Sequence, residues 1–245
     1  MTPKLAEYYD QPEVVDRYTS LRAEGLFARE AQAVDQYFSA GDRVLDLGCG
    51  AGRTTSALLE RGFDVVAADV SEPMVQATAE ATGATTVLAD AAALPFAVNA
   101  FDNVLFSYNG LDELPSEPAR LAALGEIHRV LRPEGRFVFS THNWIRRVLP
   151  YPPTWEQLTS VVRFLTTNAR QGTLGSRFLL DTESKANKAS YYADPLLQWR
   201  QLRATGFEVL TTLGNSGWAS KYAGTALFYV AAPRRGNIYI NSDSN

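Results

Sequence analysis

VLDLGCGAGRTT, residues 44–55, is the stretch whose reading decides the fold. Val44, Leu45 and Leu47 read as a buried strand that runs into Gly48, Gly50 and Gly52 at alternate positions. Glycines spaced this way let the backbone turn sharply and lie flat against a ligand, because no Cβ blocks the approach and positive φ costs little. Arg53 to Arg61, with Ala57, Leu58 and Leu59, then predicts the first helix of a βαβ unit. Its unpaired N-terminal amides would meet ligand groups beside the turn. The spacing also discriminates between cofactors. A dinucleotide fingerprint, G-x-G-x-x-G, needs its third glycine at 53, but that position is Arg53 and the glycine is at 52. An NAD-dependent oxidoreductase is therefore the weaker alternative.

Working outward, Phe63 to Val70 reads as a second buried strand with Asp69 at its carboxyl end, about 20 residues after the turn, where open α/β sheets place a ribose-binding acid. Ser71 caps the next helix, with Glu72 and Pro73 in its first turn. Met74 follows, either as core filling or against a ligand ring. Thr85 to Ala89 forms a third strand leading to Asp90 and Ala91, and Phe101 to Phe106 a fourth that brings Ser107, Tyr108 and Asn109 to the lip of the sheet. Leu121, Leu124, His128 and Leu131 repeat with helical spacing, predicting a helix over 119–131 that RPEG, residues 132–135, stops before a strand at Arg136 to Ser140. His128 lies in that apolar stripe and reads as structural.

These motifs resemble the class I S-adenosylmethionine-dependent methyltransferases, in the branch that acts on small molecules. The family's first motif is an acid two residues before G-x-G-x-G, the place that Asp46 holds. EIHRVLRPEGRFVFS is similar to the family's segment before its fifth strand, with Glu134 where many members have a glycine. The resemblance covers residues 40–140 with specific motifs and 190–232 more loosely. It implies S-adenosylmethionine as cofactor: Asp46, Gly48, Cys49, Gly50 and Gly52 around its amino acid tail, Asp69 with Val70 at the ribose, Met74 on the adenine, Asp90 and Ala91 at the adenine amino group. Ser107 and Tyr9 complete the expected cofactor site. The implied fold is α/β: a Rossmann-like, seven-stranded, mostly parallel sheet with helices on both faces and an antiparallel last strand. A helical N-terminal lid and a cap inserted after strand five are expected additions.

The expected organisation is one methyltransferase domain over 1–245: lid 1–39, cofactor core 40–140, cap 141–193, closing helix and strands 194–232, tail 233–245. In the lid, Phe27, Ala31, Val34 and Phe38 share a helical face, and Tyr8, Tyr9 and Tyr18 either present rings to a sulfonium and acceptor or anchor the segment. The insertion is far longer than an ordinary loop of about four to six residues, so it predicts a substructure. Within it, Trp155, Leu158, Val162 and Leu165 sit at helical spacing and predict a core-facing stripe. Pro195 to Ala204 reads as a helix, Phe207 to Leu213 and Thr225 to Ala232 as strands, and NSDSN as a frayed end.

With 245 residues and 46% hydrophobic content, the chain can bury one large core. A net charge of −4, with basic residues clustered only as short pairs, gives no electrostatic footprint for nucleic acid. No run approaches the roughly 18 apolar residues of a membrane helix and no secretory leader is read, so the expected setting is the cytoplasm. Cys49, the single cysteine, is expected to pack rather than react, and two histidines with one cysteine offer no zinc-type spacing.

Methyl transfer from an activated sulfonium is mainly a matter of positioning. His142, two residues past the fifth strand, is the candidate base, or else a polar residue that holds the cap. Tyr108 and Asn109 are candidates for orienting the acceptor. Asn109 and Asp112 serve equally well as turn or cap residues. The expected partner is a small organic acceptor. Cofactor binding with a cyclase or regulatory role remains an alternative, because fold does not fix the reaction.

Overall fold

The computed structural model describes residues 3–149, 153–180, 189–213 and 226–234. The expected frayed end and Thr225 lie outside them. In chain order the elements are α1 (Pro3–Tyr9), α2 (Pro12–Ser20), α3 (Ala28–Tyr37), β1 (Arg43–Leu47), α4 (Arg53–Glu60), β2 (Asp64–Asp69), α5 (Glu72–Thr82), β3 (Thr85–Leu88) and β4 (Phe101–Phe106). They continue with α6 (Glu117–Val130), β5 (Leu131–His142), α7 (Trp144–Val148), α8 (Trp155–Arg170), β6 (Phe178–Leu180), β7 (Ala189–Tyr191), α9 (Pro195–Ala204), β8 (Phe207–Leu213) and β9 (Ala226–Pro233).

One seven-stranded sheet has the order β3-β2-β1-β4-β5-β9-β8. Its first five strands are parallel, and β9 runs antiparallel to both β5 and β8. The Rossmann-like architecture expected from the sequence is the one found. The strand order reverses at β1, so β1 and β4 diverge beyond Leu47 and Phe106, and open α/β sheets bind ligands at such a switch point.

Successive residues of a strand face opposite sides, and the core divides accordingly. Leu45, Leu47, Val104, Phe137 and Phe139 pack in one layer with Leu124, Ile127 and Leu202. Val44, Val65, Leu105 and Val138 pack in the other with Ala33, Val34 and Leu58. The amphipathic helix of the N-terminal segment is thus a layer helix on the sheet, and its buried face centres on Glu30, Ala33 and Val34. What lies over the glycine turn is α1 and α2, through Tyr9, Val14 and Tyr18.

Two boundaries differ from the sequence reading. α6 begins at Glu117, because Ser116 accepts from the Ala119 amide and Glu117 and Pro118 fill the first turn. β5 begins at Leu131, which pairs with Phe101 before the register slips and resumes at Arg136 opposite Asn103. RPEG therefore ends a helix and bulges within a strand at once. A Cβ on Gly135 would run into the Asp102 carbonyl oxygen and lie 2.7 Å from Leu131 Cδ1. Gly135→Ala is expected to lower unfolding free energy by about 1–3 kcal/mol in a denaturant titration; a change within about 0.3 kcal/mol would mean that the bulge gives way freely.

The insertion after β5 is a small substructure of α7, α8 and the antiparallel pair β6–β7. The core-facing stripe expected on α8 is corrected. Trp155 is 82% exposed and Leu158 and Val162 are exposed too, while the buried positions of the helix are Phe164 and Asn168. Asn168 explains the rotation: its side-chain oxygen accepts from the Leu180 amide at 2.9 Å, and its amide donates to the Leu180 carbonyl at 3.2 Å. A buried amide tied to β6 turns the neighbouring Phe164 inward, onto Leu179 and Tyr192.

Candidate active site

The glycine turn takes the shape its sequence allows. Gly48, Gly50 and Gly52 have φ of 67°, 54° and 91°, a region that residues with a Cβ enter at a cost. The amides of Gly48 and Cys49 donate to the Ala68 carbonyl at 2.7 and 3.1 Å, which binds the turn to the end of β2. An added Cβ on Gly48 would come 2.8 Å from the Phe106 ring, and one on Gly50 3.2 Å from Tyr18. Neither of these two positions has room for a side chain.

Asp69 ends β2 beneath this turn. Its carboxylate accepts from the Gly50 amide at 2.9 Å and from the Ser71 amide at 3.0 Å. Burial raises its pKa and the backbone amides act against that rise. A carboxylate has about four acceptor positions, so the Gly50, Ser71 and Val70 amides do not exhaust it. Asp90 follows β3 and accepts from the Ala92 amide at 2.9 Å. Ser71 caps α5 as expected, and its hydroxyl also donates to Asp10 at 2.7 Å, linking the end of β2 to the loop between α1 and α2.

These strand ends open on one cavity whose empty space, open solvent included, is about 860 Å³. Gly48, Gly50, Asp69, Val70, Asp90, Ala91, Ser107 and Tyr108 line it from the rim of the sheet, and Met74 from α5. Tyr9 and Tyr18 line it from the lid, with ring centroids 5.9 Å apart; Tyr18 stands 6.1 Å from Tyr108 in a second edge-to-face contact. Burial, with the nearby Glu113 carboxylate adding to it, pushes both lid phenols above their ordinary pKa. A smaller adjoining cavity of about 340 Å³ is lined by Cys49, Gly50, Ala51, Arg53 and Thr54.

Other residues singled out by sequence stand apart from the main cavity. Asp46 is fully buried and accepts from the Thr54 hydroxyl at 2.7 Å and the Thr55 hydroxyl at 2.6 Å, behind the turn; burial lifts its pKa to about 6. Gly52 starts α4 as its left-handed cap. The Cys49 thiol is buried beside Thr78 and its pKa lies well above the usual thiol value, so it packs there as a neutral group. His142 ends β5 outside the cavity lining. Its backbone amide and Nδ1 both meet the Asp112 carboxylate, at 2.6 and 3.0 Å, and its ring lies 5.0 Å from that of Tyr192. Asn109 has φ of 60° and donates its amide to Ser140 at 2.9 Å. His128 packs edge-to-face on Phe207, as a structural residue would.

Two groups of residues escaped the sequence reading. Arg53, at the position that argued against a dinucleotide, donates to Glu30 Oε2 and Oε1 at 2.7 and 3.0 Å, to the Gly25 carbonyl, and to the Ser107 hydroxyl at 2.7 Å. Ser107 in turn donates to Glu30. This buried network ties α3 to the turn and the lip of the sheet. The second group is Glu113, Leu114 and Phe106, which complete the cavity lining. Charge pairs that close over 23 residues leave no periodic signal, although GLDELP after an apolar strand marked the neighbourhood of Glu113. Among the described residues, no group of three metal-ligating side chains could hold an ion, and no helix is long and apolar enough to cross a membrane.

Residues 44–135 match the model of a family described as a methyltransferase domain. The chain is 40% identical over 108 residues to a demethylmenaquinone methyltransferase of Beutenbergia cavernae, an alignment that covers 42% of this chain and 43% of that enzyme. It therefore spans less than half the length of this curated relative. Among solved structures, a SAM-dependent methyltransferase of Methanosarcina mazei superposes with a TM-score of 0.66 at 18% identity, over 85% of this chain and 98% of that one. The 1,6-didemethyltoxoflavin-N1-methyltransferase of Burkholderia thailandensis, solved with its substrate and S-adenosylhomocysteine, superposes with a TM-score of 0.56 at 20% identity, over 90% and 78%. At those identities the likeness is one of fold.

Proposed function

We propose that this chain, which belongs to the class I S-adenosylmethionine-dependent methyltransferases through its domain at residues 44–135, moves the cofactor's methyl group onto a small organic acceptor held under the lid tyrosines. The observation that carries this reading is Asp69: a buried carboxylate braced by the Gly50 and Ser71 amides, on the same cavity wall as Asp90 and the glycines Gly48 and Gly50, where an added Cβ would be crowded. The cofactor supplies a methyl group already activated on a sulfonium.

The protein's own residues would do the rest. Asp69 would take the ribose hydroxyls and Asp90 the adenine amino group, with Val70, Met74, Ala91 and Leu114 against the base. The glycine turn and the smaller cavity beside it would take the amino acid tail, with Ser107 at its mouth. Asp46, turned toward Thr54 and Thr55, would act on that tail by fixing the turn and the start of α4. Tyr9 and Tyr18 exclude water above, and Tyr108 with Asn109 would orient the acceptor. The relatives with small-molecule names support a small acceptor.

Proton removal, where the acceptor needs it, would fall to His142. With Nδ1–H donating to Asp112, Nε2 is left as the basic nitrogen, a carboxylate–imidazole pairing that fixes both tautomer and orientation.

Asp69→Ala is expected to weaken S-adenosylhomocysteine binding by about 1.5–3 kcal/mol, the scale of hydrogen bonds to a charged acceptor. That is roughly 10- to 150-fold in affinity. Calorimetry reads it directly, and unchanged affinity would remove Asp69 from the cofactor site. Methyl transfer itself is tested by release of S-adenosylhomocysteine in the presence of acceptor pools. Tight cofactor binding with no release from any pool would favour the regulatory or cyclase alternative.

A further inference from the structure

The charge balance of the cavity points to the kind of acceptor, an inference that rests on the methyl-transfer reading. Among its described lining residues, every ionisable side chain that is charged near neutral pH is a carboxylate: Asp69, Asp90 and Glu113. No described lysine, arginine or histidine lines it. Asp69 and Asp90 stand at the strand ends assigned to the cofactor. Glu113 stands on the 3₁₀ turn after β4, where its Oε1 accepts from Ser190 of the inserted cap at 3.0 Å. Near it are the rings of Tyr9 and Tyr18, and Tyr9, Tyr18 and Tyr108 are in successive edge-to-face contact.

Such a wall treats anions and cations differently. A carboxylate or phosphate acceptor would lose water on entering and meet no cationic side chain among the described lining residues, which is costly. An ammonium would find a counter-charge and aromatic faces, both of which attract cations. We propose that Glu113 recognises the acceptor, and that the acceptor is an amine that enters as its ammonium and is methylated on nitrogen. For the transfer, the ammonium first releases one proton to solvent water, to which part of the cavity is open. The freed lone pair then forms the N–C bond while the S–C bond breaks with its electron pair left on sulfur. The positive charge passes from the sulfonium, now a neutral thioether, to the methylated amine.

Calorimetry on protein saturated with S-adenosylhomocysteine reads recognition without turnover. Phenethylamine is expected to bind about 10- to 100-fold more tightly than 3-phenylpropanoate, its anionic counterpart. Glu113→Gln, which can still accept from Ser190, is expected to abolish that preference with cofactor affinity unchanged, and Glu113→Asp to retain most of it. Equal binding of the two probes, no binding of the amine, or a preference that survives in Glu113→Gln would overturn the proposal. In turnover, release of S-adenosylhomocysteine with primary and secondary amines supports it. Release with phenols or carboxylic acids alone overturns the amine assignment and leaves methyl transfer standing, whereas no release from any pool counts against methyl transfer and takes this inference with it.

Discussion

Arg120→Met is expected to lower the unfolding free energy by about 3–5 kcal/mol, the cost of removing one partner from a buried ion pair. Arg120 is 1% exposed and Asp112 is completely buried, 2.7 Å away. The guanidinium also donates to the Leu111 carbonyl at 2.8 Å and to Gln201 at 3.0 Å, contacts Gln198, and lies 4.6 Å from the centre of the Tyr191 ring. It thus ties the 3₁₀ turn after β4 to α9 and to β7 of the cap. Methionine fills much of the space but takes the counter-charge from the buried Asp112 carboxylate, which keeps the His142 amide and ring on Oδ2. In a thermal melt of a chain this size, the loss corresponds to roughly 6–20 °C. A drop under about 1 kcal/mol would show that Asp112 escapes its burial when unpaired.

His142→Ala is expected to lower kcat by about 10²- to 10⁴-fold, the usual contribution of a positioned base, with S-adenosylhomocysteine affinity kept within about twofold. Folding should change less than in Arg120→Met, because the Asp112 carboxylate keeps Arg120 and the backbone amide of residue 142. The distinguishing readout is the pH profile: the acidic limb of kcat should vanish in the variant, since an imidazole must be neutral to accept a proton. If His142 only fastens the cap to the turn, the variant loses stability and keeps the wild-type limb. That outcome would leave positioning as the whole of catalysis.

The parts of this molecule legible in its sequence are those whose physics is local. The glycine turn, the strands ending at Leu47, Asp69 and Phe106, and α9 behind Asp194 and Pro195 follow from spacing, β-type composition and caps, and the structure has them within a residue or two. Ser71-Glu72-Pro73 was readable as a helix start; the same triplet at Ser116-Glu117-Pro118 does the same work and moves α6 two residues earlier than its apolar period suggests. What was not legible depends on partners distant in sequence. The stripe on α8 marks an apolar face but not which neighbour covers it, and the bonds from Asn168 to β6 decide that Phe164 goes inside while Trp155 stays out. Similarly, the Arg53–Glu30–Ser107 and Arg120–Asp112–His142 networks join segments 23 to 77 residues and 8 to 30 residues apart. A helical or strand period says which face a residue is on, not which distant side chain it meets there, so it does not foresee such pairings.

The central claim is that the rim of the parallel strands, roofed by Tyr9 and Tyr18, is built for an adenosyl sulfonium. Its most direct test is a paired thermal melt of the intact chain with S-adenosylhomocysteine and with NADH, each at the same excess, because a ligand that binds only the folded state raises the midpoint in proportion to its affinity. The expected result is stabilisation by S-adenosylhomocysteine alone, lost in Asp69→Ala. Stabilisation by NADH and none by S-adenosylhomocysteine would contradict it.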